Sequence, residues 1–349
     1  MRYPDFLAKG GTIGFIAPSF GCGEGDYRTA VFQNALQKWQ GMGYRTLPGP
    51  NCYAAEGIGI SNTPEKCGRE AMEFFLSDET DCLISCGGGE LMCEILPYVD
   101  FRKLAEAKPK WFMGYSDNTN LVYLLATLAD TASVYGPCAG TFGMEPWHAS
   151  LHDAFGILTG EKAVGGRIAV GGYEGWEAES LKGPENPLAP YNLTMERCLH
   201  TYIGREQTSD ASLRGRLLGG CMDCLVNLLG TRFDKTADFV QRYREDGIIW
   251  FLEACDLNVF SIRRAMWQME EAGWLEHVRG FLFGRPMNGT PMMNLDAHDA
   301  VMEVAGRKGV PVVLDVDLGH LPPMMPMIVG SLAEVTVNGN DIRIEMQCK

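Results

Sequence analysis

The feature that most constrains this chain is an alternation of short apolar runs with longer segments of helical pattern. "GTIGFIAPSFG" is followed by "YRTAVFQNALQKWQGMG", "YRTLPG" by "TPEKCGREAMEFFLSDET", "DCLISCGGGE" by "LMCEILPYVDFRKLAEA", and "KWFMGYSD" by a helical pattern from Asn118 to Asp130. Apolar runs too short for helices and bounded by turn residues read as buried strands, and strands alternating with helices imply a mostly parallel sheet covered on both faces. Thr63 is placed to cap one of the helices, with Pro64 at its first position. Ligands on such sheets gather beyond the carboxyl ends of the strands, here at the "SCGGGE" and "GYSDN" loops.

The pattern changes in "GGRIAVGGYEGWEAESLKGPENPLAPYN", where Gly, Pro and polar residues predict loops and short strands. Residues 166–210 are therefore expected to join two domains and to shape a substrate site. Beyond them, "DGIIWFLEACD", "VRGFLFGRP" and "VPVVLDVDLGH" predict further strands between helices, and "AEVTVNGNDIRIEMQ" predicts an antiparallel hairpin turning at Asn338 and Gly339. A chain of 349 residues exceeds what one core usually serves. The expected fold class is α/β, with a layered parallel-sheet domain over 1–165, a mixed α/β domain over 211–349, and the active site between them.

A formal net charge of -14 argues against nonspecific binding to nucleic acid or anionic membranes. The first apolar run lies beside glycines and is too short for a signal peptide or membrane span, so a cytoplasmic location is expected. In that setting the twelve scattered cysteines read as reduced, mostly buried thiols. The "CMDC" at Cys221 and Cys224 has no second such pair and no neighbouring histidine pair, and "HASLH" lacks the glutamate of HExxH. Neither motif predicts a metal site, His148 and His152 are expected to face solvent, and no cofactor is expected.

Three reactive residues stand where strands give way to loops or helices: Ser116 in "FMGYSDN", Glu253 in "WFLEACD" and His320 in "VDLGHLPPM". A histidine can deprotonate the serine while the glutamate fixes its tautomer and stabilises the imidazolium. "GYSDN" shares the mechanical role of a nucleophile elbow but carries Asn118 where GxSxG has its second glycine. Gly87, Gly88 and Gly89 allow close backbone approach, and the Gly88 and Asp117 amides are candidate donors to an oxyanion. Each of the three reactive residues also has an ordinary structural explanation: a helix cap for Ser116, a salt bridge for Glu253 and a packed side chain for His320.

Taken in order, "GTIGFIAPS", "LISCGGGE", "ILPYVD", "FMGYSDNTNL", "YGPCAGTFG", "GRLLGGCMDCLVNLLGT", "WFLEACD" and "DVDLGHLPPMMPMIVG" resemble the LD-carboxypeptidases, particularly the branch containing the microcin C self-immunity peptidase. The resemblance spans nearly the whole chain. It implies a metal-independent serine carboxypeptidase or amidase with Ser116 as nucleophile, Glu253 as supporting acid, His320 as base, and the Gly88 and Asp117 amides at the oxyanion. It also implies homodimers and a small peptide-like substrate, either a muropeptide or an aminoacyl nucleotide conjugate. Tyr115, Asn120, Tyr173, Trp176 and Trp267 are candidates for shaping the cleft. Two alternatives stay open: an amidase that detoxifies microcin-like aminoacyl nucleotides, and a noncatalytic protein that binds a small ligand in the same cleft.

Overall fold

In the computed structural model, which describes residues 1–23 and 26–349, the strand and helix alternation builds a six-stranded sheet. Five strands are parallel: β1 (Thr12–Ile16), β2 (Arg45–Pro48), β3 (Cys82–Ser85), β4 (Trp111–Gly114) and β5 (Ser133–Tyr135), in the spatial order β5-β4-β3-β1-β2. All of them except β2 are buried at every position, so they read as unbroken apolar runs and not as alternating ones. Helices α1 (Asp26–Gly41), α2 (Pro64–Leu76), α3 (Phe101–Glu106), α4 (Thr119–Ala129) and α5 (Ala149–Thr159) accompany them. Helix α2 starts as its sequence predicts: the Thr63 side chain accepts the Lys66 N–H, and Pro64 occupies the first turn. His148 and His152 depart from the expectation of a solvent-facing pair. His148 caps α5 by accepting the Ser150 N–H at 3.1 Å and packs against Tyr173 and Tyr191, while the exposed His152 lies against Trp147.

The remaining strands are β6 (Arg167–Gly171), β7 (Gly175–Trp176), β8 (Met195–Glu196), β9 (His200–Ile203), β10 (Glu206–Thr208), β11 (Asp210–Cys221), β12 (Ile248–Glu253), β13 (Val278–Gly284), β14 (Pro311–Val316), β15 (Met327–Val329), β16 (Leu332–Asn338) and β17 (Asp341–Gln347). Nine of them form a second sheet in the order β10-β9-β14-β13-β12-β11-β16-β17-β6. Its central strands β14, β13, β12 and β11 are parallel, and antiparallel strands flank them on both sides. Helices α6 (Met222–Leu228), α7 (Thr236–Arg242), α8 (Val259–Glu271) and α9 (Ala297–Ala305) belong to this half. The expected hairpin is β16 and β17, with Asn338 opposite Asp341 and Gly339 at a φ of 58°.

The two sheets do not divide at one point in the chain. Residues 166–210 supply β6 at one edge of the second sheet and β9 and β10 at the other, while β15 crosses back to pair antiparallel with β5 in the first. Buried apolar residues of both halves form one continuous cluster. No described helix is long and apolar enough to cross a membrane.

Candidate active site

Strand β4 ends at Gly114, and the chain turns through Ser116 into the short helical turn Ser116–Asn118 that leads to α4. Ser116 has a φ of 63°, a left-handed conformation that a non-glycine residue adopts only when its surroundings enforce it. Several contacts do so. The Ser116 N–H donates to the Tyr135 hydroxyl at 3.2 Å, and the Asn118 side-chain amide donates to the carbonyls of Gly87 at 2.8 Å and Tyr115 at 3.1 Å. Asn118, the departure from GxSxG, thereby ties the glycine loop to the elbow. The buried Asp117 carboxylate accepts the Ser19 hydroxyl at 2.6 Å, the Met92 N–H at 2.9 Å and the Asn120 side-chain amide at 3.1 Å. Burial pushes the Asp117 carboxyl above its ordinary range, and these hydrogen bonds pull it back in part.

Ser116, Glu253 and His320, 67 to 204 residues apart in the chain, meet in one chain of contacts. His320 Nε2 lies 2.8 Å from Ser116 Oγ, and His320 Nδ1 lies 2.8 Å from Glu253 Oε2. The network assigns the proton of a neutral His320 to Nδ1, leaving Nε2 to accept from the serine hydroxyl. Glu253 ends the buried strand β12, and its other oxygen accepts the Tyr135 hydroxyl at 2.5 Å. Burial disfavours the imidazolium of His320, but the charge of Glu253 and contacts with Cys255 and Glu253 more than offset this, so its pKa rises above the ordinary 6.5. Burial likewise works against the Glu253 carboxylate, and His320, Tyr135 and Cys221 reverse the effect, so its pKa falls below 4.5. This is the charge separation a histidine base requires, with an anion fixed against the nitrogen that keeps its proton.

Glycines set the spacing. A Cβ on Gly88 would stand 3.0 Å from Ser116 Cβ and 3.1 Å from its Oγ, and one on Gly319 would stand 2.5 Å from Glu253 Oε2. Gly88 and Ser116 line one cavity, and outside the regular elements neither the Gly88 nor the Asp117 N–H donates to a backbone carbonyl among the described residues. The loop carrying His320 is pinned by a buried ion pair: Arg285 donates to Asp317 Oδ1 and to the Asp315 carbonyl, each at 2.6 Å, and Trp176 covers the guanidinium at 5.1 Å.

Of the residues expected to shape the cleft, Tyr115 packs on the His320 ring at 5.2 Å, and Asn120 lines a cavity beside Ser116. Tyr173 is buried, with its N–H donating to Asp317. Trp267 is 56% exposed on α8. Cys221 and Cys224 also border the site: the Cys221 thiol donates to Asp223 at 3.3 Å and the Cys224 thiol to the Ser116 carbonyl at 3.6 Å. Sequence reasoning gave Tyr135 no role, although it opens the "YGPCAGTFG" motif at a strand end. Among the described residues, His200, His298 and Asp315, and separately Cys221, Glu253 and His320, bring donors within 4.8 Å of one another. In the first group both rings meet one Asp315 oxygen, at 2.9 and 2.7 Å; in the second, two members are already partnered in the Ser116 chain.

Two adjoining parallel-rich sheets with a serine, histidine and glutamate converging between them define a mixed α/β protein of hydrolase-like architecture. The chain belongs to the LD-carboxypeptidase family: residues 13–136 match its N-terminal domain and residues 214–335 its C-terminal domain. Among relatives, it is similar to the microcin C7 self-immunity protein MccF of Escherichia coli, with 23% identity over 98% of this chain and 95% of that protein. MccF in complex with aspartyl sulfamoyl adenosine superposes with a TM-score of 0.81 at 22% identity, covering 100% of this chain and 99% of that one. A muramoyltetrapeptide carboxypeptidase from Oxalobacter formigenes gives a TM-score of 0.68 at 20% identity, covering 96% and 98%. These likenesses establish the fold, and the family matches make the protein a peptidase by descent.

Proposed function

We propose that the protein is a serine LD-carboxypeptidase that works without a metal or other cofactor. The observation that carries this reading is the unbroken chain from Ser116 Oγ through His320 to Glu253, with 2.8 Å at each link. His320 Nε2 takes the hydroxyl proton as Ser116 Oγ attacks the scissile carbonyl. The Gly88 and Asp117 N–H groups receive the oxyanion, and Glu253 stabilises the imidazolium. His320 then returns the proton to the departing amine, and the same histidine activates the water that resolves the acyl-enzyme.

Two amide substrate classes fit this chemistry, a peptide ending in a D-amino acid and an aminoacyl nucleotide conjugate. Turnover of L-Ala-γ-D-Glu-L-Lys-D-Ala compared with aspartyl sulfamoyl adenosine divides them, the LD-carboxypeptidase reading requiring that the peptide be the better substrate. A fluorophosphonate should label Ser116 in the native protein and not in Ser116→Ala. Hydrolysis that survives Ser116→Ala would sink the mechanism, and ligand binding without turnover would favour a noncatalytic cleft. Homodimerisation and a cytoplasmic location belong to the same reading, and sedimentation tests the first.

A further inference from the structure

The cavities around Ser116 differ in charge: those that hold His320 carry cations as well as carboxylates, Arg28 and Lys182 with Glu90 in the larger and Lys182 with Glu177 in the smaller. His320 must hand its proton to the departing amine, so the leaving group lies on the side where His320 is reached. Two cavities, of about 470 and 180 Å³, meet that condition, and both are also lined by Tyr115, Ser180 and Lys182. A third cavity, of about 310 Å³, reaches Ser116 without His320. Its described lining carries Glu90, Asp117, Asp223 and Asp256 and no lysine or arginine, so an anionic group is repelled there.

Lys182 sits in the loop between β7 and β8, half-buried beside His320 in both cavities of the leaving-group side. Its ammonium makes no ion pair or hydrogen bond among the described residues. Glu177, which lines the smaller cavity with it, favours the ammonium through space but forms no ion pair with it, and its carboxylate accepts the Asn192 N–H at 2.5 Å. An ammonium withdrawn from water without a direct hydrogen-bond or ion-pair partner is unfavourable, and a carboxylate arriving with a substrate would supply one.

We propose that Lys182 receives the terminal carboxylate of the leaving amino acid, and that this contact makes the enzyme an exopeptidase. The inference rests on the serine carboxypeptidase reading above. Consistent with it, burial holds the Lys182 pKa below that of an ordinary lysine, a shift that a bound carboxylate would oppose.

The test compares L-Ala-γ-D-Glu-L-Lys-D-Ala with its C-terminal carboxamide, in the wild-type protein and in Lys182→Met and Lys182→Arg. The wild type should prefer the acid by roughly 100-fold in kcat/KM. Lys182→Met should lower kcat/KM for the acid by roughly 30- to 100-fold, mainly through KM, and leave the carboxamide unchanged. Lys182→Arg should keep part of the preference. Fluorophosphonate labelling of Ser116 at the wild-type rate shows that each variant retains an intact site. Equal use of acid and carboxamide by the wild type, a preference that persists in Lys182→Met, or an equal loss on both substrates would overturn the assignment. Turnover of neither peptide by the wild type would overturn the functional reading itself, a result distinct from turnover without discrimination.

Discussion

At the scale of single residues, the site joins a strained serine to a histidine whose charge is held by a buried anion. Ser116→Ala should reduce kcat by at least about 10³-fold while the protein stays folded, since the hydroxyl supports no structural contact except that with His320. Because Glu253 raises the pKa of His320, kcat/KM should climb with pH through a midpoint above the ordinary histidine value of 6.5. Glu253→Gln removes the charge that causes the rise, so it should move that midpoint toward acid and lower kcat by roughly 10³- to 10⁴-fold. A midpoint that does not move between the two proteins would show that Glu253 does not tune His320. That the three reactive residues meet was legible because each stands where an apolar run ends, and the roles proposed for them follow the resemblance of the motifs around them. The left-handed φ of Ser116 was not legible, since it arises from contacts with the distant Tyr135 and with the glycine loop. Lys182 was equally hidden, because a lysine in a Gly- and Pro-rich stretch looks like any surface cation until the fold sets it beside His320.

At the scale of elements, the site depends on three loops held at fixed separation. Gly88→Ala places a methyl 3.0 Å from Ser116 Cβ, so either the glycine loop or the elbow must shift. Steady-state kinetics should show a lower kcat with little change in thermal midpoint. Tyr135→Phe cuts the link between the Ser116 N–H and Glu253 and should cost about 1–3 kcal/mol in denaturant unfolding, because it leaves the part-buried Ser116 N–H and a buried Glu253 oxygen without their shared partner. Asp317→Asn strands the Arg285 charge under the loop that carries His320. A loss of about 3–5 kcal/mol is expected, read by the same unfolding curves. The helix starts and the closing hairpin were readable from local signals such as Thr63-Pro64 and Asn338-Gly339. The edges of the second sheet were not, since β6 and β9 pair with strands 100 or more residues away, with β10 added beyond β9, and pairing between distant segments leaves little trace in a short stretch of sequence.

At the scale of the whole molecule, the Glu253 and His320 pair makes stability and activity respond to pH in opposite directions. The depressed pKa of Glu253 contributes stability above 4.5 that is lost as pH falls through its lowered value. The raised pKa of His320 contributes stability below 6.5 that is lost as pH rises through its raised value. The difference in thermal midpoint between the wild type and Glu253→Gln should therefore be greatest between pH 4.5 and 6.5 and shrink toward alkali, where turnover increases. A difference that grew in alkali would contradict the paired-charge account. The crossing of β15 into the first sheet carries a separate consequence. A backbone cut at the exposed turn near Glu185 would leave β6 on the fragment whose sheet partner β17 is on the other, and β15 on the fragment whose partner β5 is on the first. Each piece would lend a strand to its neighbour, so the halves should co-purify when expressed together, and fluorophosphonate labelling of Ser116 should appear only in their reunion: the chain is built as a two-part lock that can be sawn apart and still close.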